Sequence, residues 1–115
     1  MFKVFGFLKK REDLSTEEFK DYYENRHIPL ILSLAPTPLI YRRHYLDQAG
    51  ELTNSGNHSG YDVITETGFA DQAAFQAWLG ALFAAGTAEV VATDEARFLD
   101  RSKTCAYVVD QRTTA

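Results

Sequence analysis

This chain of 115 residues is poor in the features that announce most specialised proteins. It has one cysteine, Cys105, so no disulfide can form within it, and a reducing, cytoplasmic setting is expected. It has no excess of positive charge: the formal net charge is −4, and the short Lys9-Lys10-Arg11 and Arg42-Arg43 clusters do not make the basic face that nucleic acid requires. It has no long apolar run. The stretch from Phe2 to Leu8 is broken by Lys3 and Gly6 and followed by charges, so neither a signal peptide nor a membrane span is expected. Its seven glycines are scattered, with no phosphate loop and no dinucleotide fingerprint, so no nucleotide cofactor is expected. No internal repeat and no low-complexity segment appears.

What is present is a small, aromatic-rich domain. Hydrophobic residues make up 45% of the chain and aromatics 13%, enough for one packed core. A single domain over residues 1–110 is expected, with 111–115 as a frayed polar tail. The first strand, Phe2–Lys9, is apolar on both faces, as in a strand between two packed layers. Ser15 followed by Glu18 is a capping box, and Leu14 with Phe19 fits a hydrophobic staple, so a helix opens there. Phe19, Tyr22, Tyr23, Arg26, His27 and Leu30 then share one helical face, and Pro29 is expected to kink or end the helix just beyond His27.

Pro36 and Pro38 lead to a second strand, Leu39–Leu46. The Gly-, Asn- and Ser-rich stretch 49–60 reads as a long exposed loop, and Tyr61–Phe69 as a third strand. Ala74, Phe75, Trp78, Leu79, Leu82 and Phe83 give a second amphipathic helix from about Asp71. Gly86 interrupts it, a shorter helical piece runs through Val90 and Val91 towards Phe98, and the last strand is about Lys103–Asp110.

The order βαββαβ is the ferredoxin-like α+β arrangement: a four-stranded antiparallel sheet with both helices on one face. The other face still carries apolar side chains. A second copy of the chain is the simplest cover for it, which makes a homodimer, a dimeric α/β barrel, the expected assembly.

Among residues able to carry chemistry, His27 comes first, because histidine exchanges protons near neutrality. A structural reading stands beside this one: a buried histidine bonded to a backbone carbonyl freed by the proline. Tyr22, Tyr23, Tyr41, Tyr45 and Tyr61 are phenols able to hold a substrate oxygen or, equally, to pack in the core. Tyr41 and Tyr45 share a strand face and His44 has the opposite parity; if Tyr41 meets the helices, His44 meets the dimer interface. His58 lies in the loop, and the three histidines have no ligand spacing, so no metal is expected and nothing positive supports haem.

Asp62 and Glu66 share a face of the third strand, and a carboxylate turned to the helices would be a base or a partner for His27. Asp94 and Glu95, read as opening a helical turn after Thr93, are assigned to dipole stabilisation, and Cys105 to an inert thiol.

These residues together resemble the EthD-domain family. The resemblance is carried by the opening strand, Leu14-Ser15-x-x-Glu18-Phe19, Tyr23, His27-Ile28-Pro29, the stretch Tyr61–Glu66 leading to Phe69, and Asp94-Glu95-x-x-Phe98-x-Asp100. It spans about Phe2 to Val109. The resemblance implies a dimeric α/β barrel with a pocket between helices and sheet, reached by the histidine matching His27 and lined by the tyrosine matching Tyr41. Related lactone isomerases use a thiol on the third strand; this chain has Thr65 and Thr67 there.

The implied activity is that of a cofactor-independent lyase or isomerase, performing dehydration, decarboxylation or cyclisation on a small oxygenated cyclic or aromatic, polyketide-like compound. His27 is the expected general acid/base, Tyr41 and Tyr23 orient it or hold the substrate oxygen, and Asp62 is its candidate partner. A cofactor-free monooxygenase of phenol- or anthrone-type substrates and a non-catalytic accessory protein for hydrophobic small molecules are the alternatives.

Overall fold

The computed structural model describes residues 1–53 and 56–115; of the expected loop 49–60, Asn54 and Ser55 lie outside the described residues. The strands are β1 (Phe2–Leu8), β2 (Ile40–Tyr45), β3 (Val63–Phe69) and β4 (Cys105–Val109). The helices are α1 (Thr16–Tyr22), α2 (Ile28–Leu34), α3 (Gln72–Leu82) and α4 (Thr87–Glu95). The strands form one antiparallel sheet in the order β2-β3-β1-β4, the ferredoxin-like topology.

Local signals set most boundaries. The Ser15–Glu18 capping box is fully formed, Asp71 caps α3 by accepting from the Ala74 amide, and Gly86, at φ 84°, supplies the left-handed turn between α3 and α4.

Pro29 does not end the first helix. The chain widens into a π turn over Tyr23–His27 and continues as α2, with Pro29 in the first turn, where a missing N–H is tolerated. The buried positions are accordingly Phe19, Tyr23, His27, Ile28 and Ile31, whereas Arg26 is exposed. Side chains four apart drift by about 40° per step round a regular α-helix. The wider turn takes up that drift and keeps this row on the core.

All helices pack on the sheet face that bears Val63, Thr65, Thr67 and Phe69 of β3. Phe19, Tyr23, Ile28, Val63, Phe98 and Leu99 make the core cluster, with Phe98 and Leu99 brought under α1 by the chain leaving α4. Phe69, Phe75 and Trp78 form a second aromatic group, with Phe2 against Phe75.

The opposite face carries Lys3, Phe5, Phe7, Ile64, Glu66, Cys105 and Tyr107 by strand parity. At its centre Glu66, 5% exposed, accepts from Lys3 Nζ at 2.9 Å, with His44 Nε2 at 3.0 Å and Arg42 at 3.7 Å. The Lys3 hydrogen bond, then that of His44, holds the Glu66 carboxyl below its ordinary range. The side chains of Lys3 and Arg42 and the His44 ring cover Glu66 in place of a packed core, so the cluster is worth little more than a good surface network.

Replacing Glu66 by Gln is expected to cost about 1 kcal/mol at neutral pH. A carboxyl depressed in the folded state stabilises above its unfolded value, near 4.5, and loses that contribution as pH falls through the folded value. Urea denaturation of both proteins should therefore show the gap at pH 7 closing in strong acid.

Candidate functional site

Small side chains across the sheet open a hollow beneath the helices. Ala106, Gly6 and Thr65 are paired in one row over β4, β1 and β3, and Val4, Thr67 and Tyr41 lie in the next row. A Cβ at Gly6 would make only ordinary van der Waals contacts, with Leu8 at 3.8 Å and the Thr65 carbonyl at 3.9 Å. The cavity above has a volume of about 480 Å³, roofed by Phe75, Trp78 and Leu82 of α3 and Val91 of α4. That volume lies in the range of small-molecule sites. Exposed Phe83, Arg101 and Ala106 mark its mouth.

The inner end is polar. His27, the last residue of the π turn, is 6% exposed and reaches the cavity beside Tyr23 and Tyr41. Its ring lies 4.8 Å from Phe98 and 5.8 Å from Tyr23, centre to centre. His27 Nδ1 is 2.8 Å from Asp94 Oδ2, and Asp94 Oδ1 accepts from the Tyr22 hydroxyl at 2.6 Å.

The Tyr23 hydroxyl shares a 2.5 Å hydrogen bond with Thr65 Oγ1. Burial pushes the Tyr41 phenol up to about 12 and that of Tyr23 higher still. Both therefore stay protonated at neutral pH.

The structure brings His27, Tyr41 and Tyr23 to one cavity but not Asp62. Asp62, just before β3, accepts from the Lys10 amide at 2.9 Å and pairs with Lys9 at 3.5 Å. Strand parity explains the correction: Asp62 and Glu66 alternate with the helix-facing Val63, Thr65 and Thr67, so neither carboxylate is offered to the helix layer. The carboxylate at His27 is Asp94.

The sequence suggests a helix start at Asp94; in the structure α4 runs Thr87–Glu95 and Asp94 stands in its last turn, the end whose dipole disfavours an anion. Its partners there are Tyr22 and His27.

His44 lies on the opposite sheet face, as its parity requires, and His58 pairs with Glu51 in the loop. Among the described residues no group of three His, Cys, Asp or Glu is placed to hold a metal ion, and no single helix is long and apolar enough to cross a membrane.

Several solved structures share this architecture. The Arabidopsis thaliana protein At3g17210 superposes with a TM-score of 0.67 at 15% identity, covering 100% of this chain and 99% of its own. An ethyl tert-butyl ether D (EthD) family protein from Bacillus halodurans gives 0.64 at 16% identity, covering 97% and 100%. HapK from Hahella chejuensis gives 0.59 at 16% identity, covering 100% and 98%. At these identities the likeness is one of fold. No curated protein matches the chain by sequence. The family model for the EthD domain does match, over residues 11–102, a span that takes in the capped first helix, His27, Tyr41 and Asp94: the chain belongs to the EthD family.

Proposed function

We propose that this protein is a cofactor-independent lyase or isomerase for a small oxygenated cyclic or aromatic compound, with His27 as general acid and base. The observation that carries this reading is a buried imidazole at the polar end of an apolar hollow of about 480 Å³, beside a phenol that stays protonated. In a dehydration, the ring takes a proton from the carbon next to a carbonyl. Tyr41, with Tyr23 beside it, donates to the carbonyl oxygen as charge develops there. The proton then goes from the imidazolium to the departing hydroxyl, which leaves as water. Membership of the EthD family supports a small-molecule function of this kind.

The assay is conversion of a ligand identified by native mass spectrometry, run under nitrogen and in air. Equal rates support lyase or isomerase chemistry. Uptake of oxygen in step with product marks a monooxygenase, and retention without turnover marks a binding protein.

We further propose that two copies pair through the open sheet face. Proteins of this family are commonly dimeric, and Phe5, Phe7, Ile64 and Tyr107, the last 60% exposed, supply the apolar surface. Tyr107→Glu should convert the dimer to monomer in sedimentation velocity at micromolar concentration; a wild-type monomer would remove this part of the proposal.

A further inference from the structure

We propose that Asp94 and Tyr22 are positioning residues which hold His27 as its Nδ1–H tautomer and so present a bare Nε2 to the cavity. The inference rests on the role of His27 proposed above and says how that role is set up.

Asp94 carries two oxygens with separate duties. Oδ1 accepts from the Tyr22 hydroxyl at 2.6 Å, and Oδ2 lies 2.8 Å from His27 Nδ1. Burial and then the Asp94 carboxylate push the Tyr22 phenol up, against the opposing pull of Arg97, so Tyr22 remains a donor. An ionised carboxylate only accepts. The ring nitrogen facing it must therefore bear the hydrogen, and in the neutral ring Nε2 is left with the lone pair. Among the described residues Nε2 makes no hydrogen bond to protein, and the ring lines the cavity.

The backbone is arranged for this triad. Tyr22 and His27 are five residues apart, which in a regular α-helix places them about 140° apart round the axis. One carboxylate does not readily serve both from there. The π turn, in which the Ile28 amide reaches back five residues to the Tyr23 carbonyl, narrows that angle and lets both side chains meet Asp94. Pro29, with no amide hydrogen to offer a carbonyl four residues back, favours the wider turn. The anion is held in the last turn of α4, with a side chain 16% exposed. A position that the helix dipole disfavours fits one whose use lies in its contacts.

The test is a long-range ¹H–¹⁵N spectrum of protein labelled at histidine, taken at a pH where the rings are neutral, with His27 assigned by its loss in His27→Gln. Wild type is expected to show Nδ1 protonated and Nε2 bare. In Asp94→Asn, Tyr22 still claims the side-chain oxygen and the amide group turns to the ring, so the two nitrogen resonances should exchange character. Tyr22→Phe/Asp94→Asn frees that amide to turn over and should restore part of the Nδ1–H form.

A wild-type ring protonated at Nε2, or a tautomer unchanged in both Asp94→Asn and Asp94→Ala, overturns the proposal. The wild-type spectrum alone decides the first point, even if a variant does not fold. The spectrum needs no substrate. An idle His27 with the Nδ1–H tautomer would therefore sink the enzymatic reading and leave this one standing.

Discussion

Replacing His27 by Gln should lower turnover of the cavity's ligand by roughly a hundredfold to ten-thousandfold, the usual contribution of a general acid/base. Glutamine keeps much of the volume and one hydrogen bond to Asp94 but cannot shuttle a proton. Binding should change far less than turnover, because most of the cavity wall is apolar and untouched by the substitution. The loss should thus fall on kcat with KM nearly unchanged, the mark of an interaction made in the transition state. Full turnover by a folded His27→Gln protein would leave the imidazole as a core residue and nothing more.

The second large effect belongs to Phe98. Its side chain is fully buried, 5.3 Å from the rings of both Tyr22 and Tyr23, 5.8 Å from Phe19 and 4.8 Å from His27, centre to centre. Phe98→Ala removes a whole ring from the junction of α1, the π turn and the segment after α4. The expected cost is about 3–5 kcal/mol, as for other buried phenylalanines cut to alanine. In a domain of this size that lowers Tm by more than about 10 °C. Phe98→Leu, which keeps most of the volume, should cost less than half as much. Calorimetry checks both, and a loss below about 1 kcal/mol for the alanine variant would place Phe98 outside the core.

These two residues differ in how far the sequence reveals them. The order of strands and helices follows from periodicity and punctuation: the Ser15–Glu18 box, Asp71 and Gly86 each act where their chemistry predicts. The two faces of the sheet follow from parity alone, which separates Tyr41 from His44 without further information. The π turn does not follow, because a helical wheel drawn at a constant step puts Arg26 on the buried face, whereas a single wider turn moves it into solvent.

The catalytic-site candidates divide along the same line. Tyr41 is legible because strand parity sets its face, and His27 because a regular helix and the widened one both leave it on the buried side. The partner of His27 depends on where α4 ends and which way its last turn faces, and that is settled by the packing of Phe98 and Leu99 under α1. Asp94 is thus visible only in three dimensions, and Asp62, which shares a strand with cavity residues in sequence, is separated from them by the pleat. Gly6 is the clearest unused signal: a glycine in the middle of an otherwise bulky central strand marks the floor of the hollow.

The most direct measurement is a crystal structure of the protein with the ligand that native mass spectrometry finds retained. A reacting atom of that ligand within about 3 Å of His27 Nε2, with an oxygen in reach of the Tyr41 hydroxyl, is the expected result. A ligand bound on the open sheet face, or one in the hollow whose polar groups turn to Arg101 and leave the imidazole untouched, would contradict it.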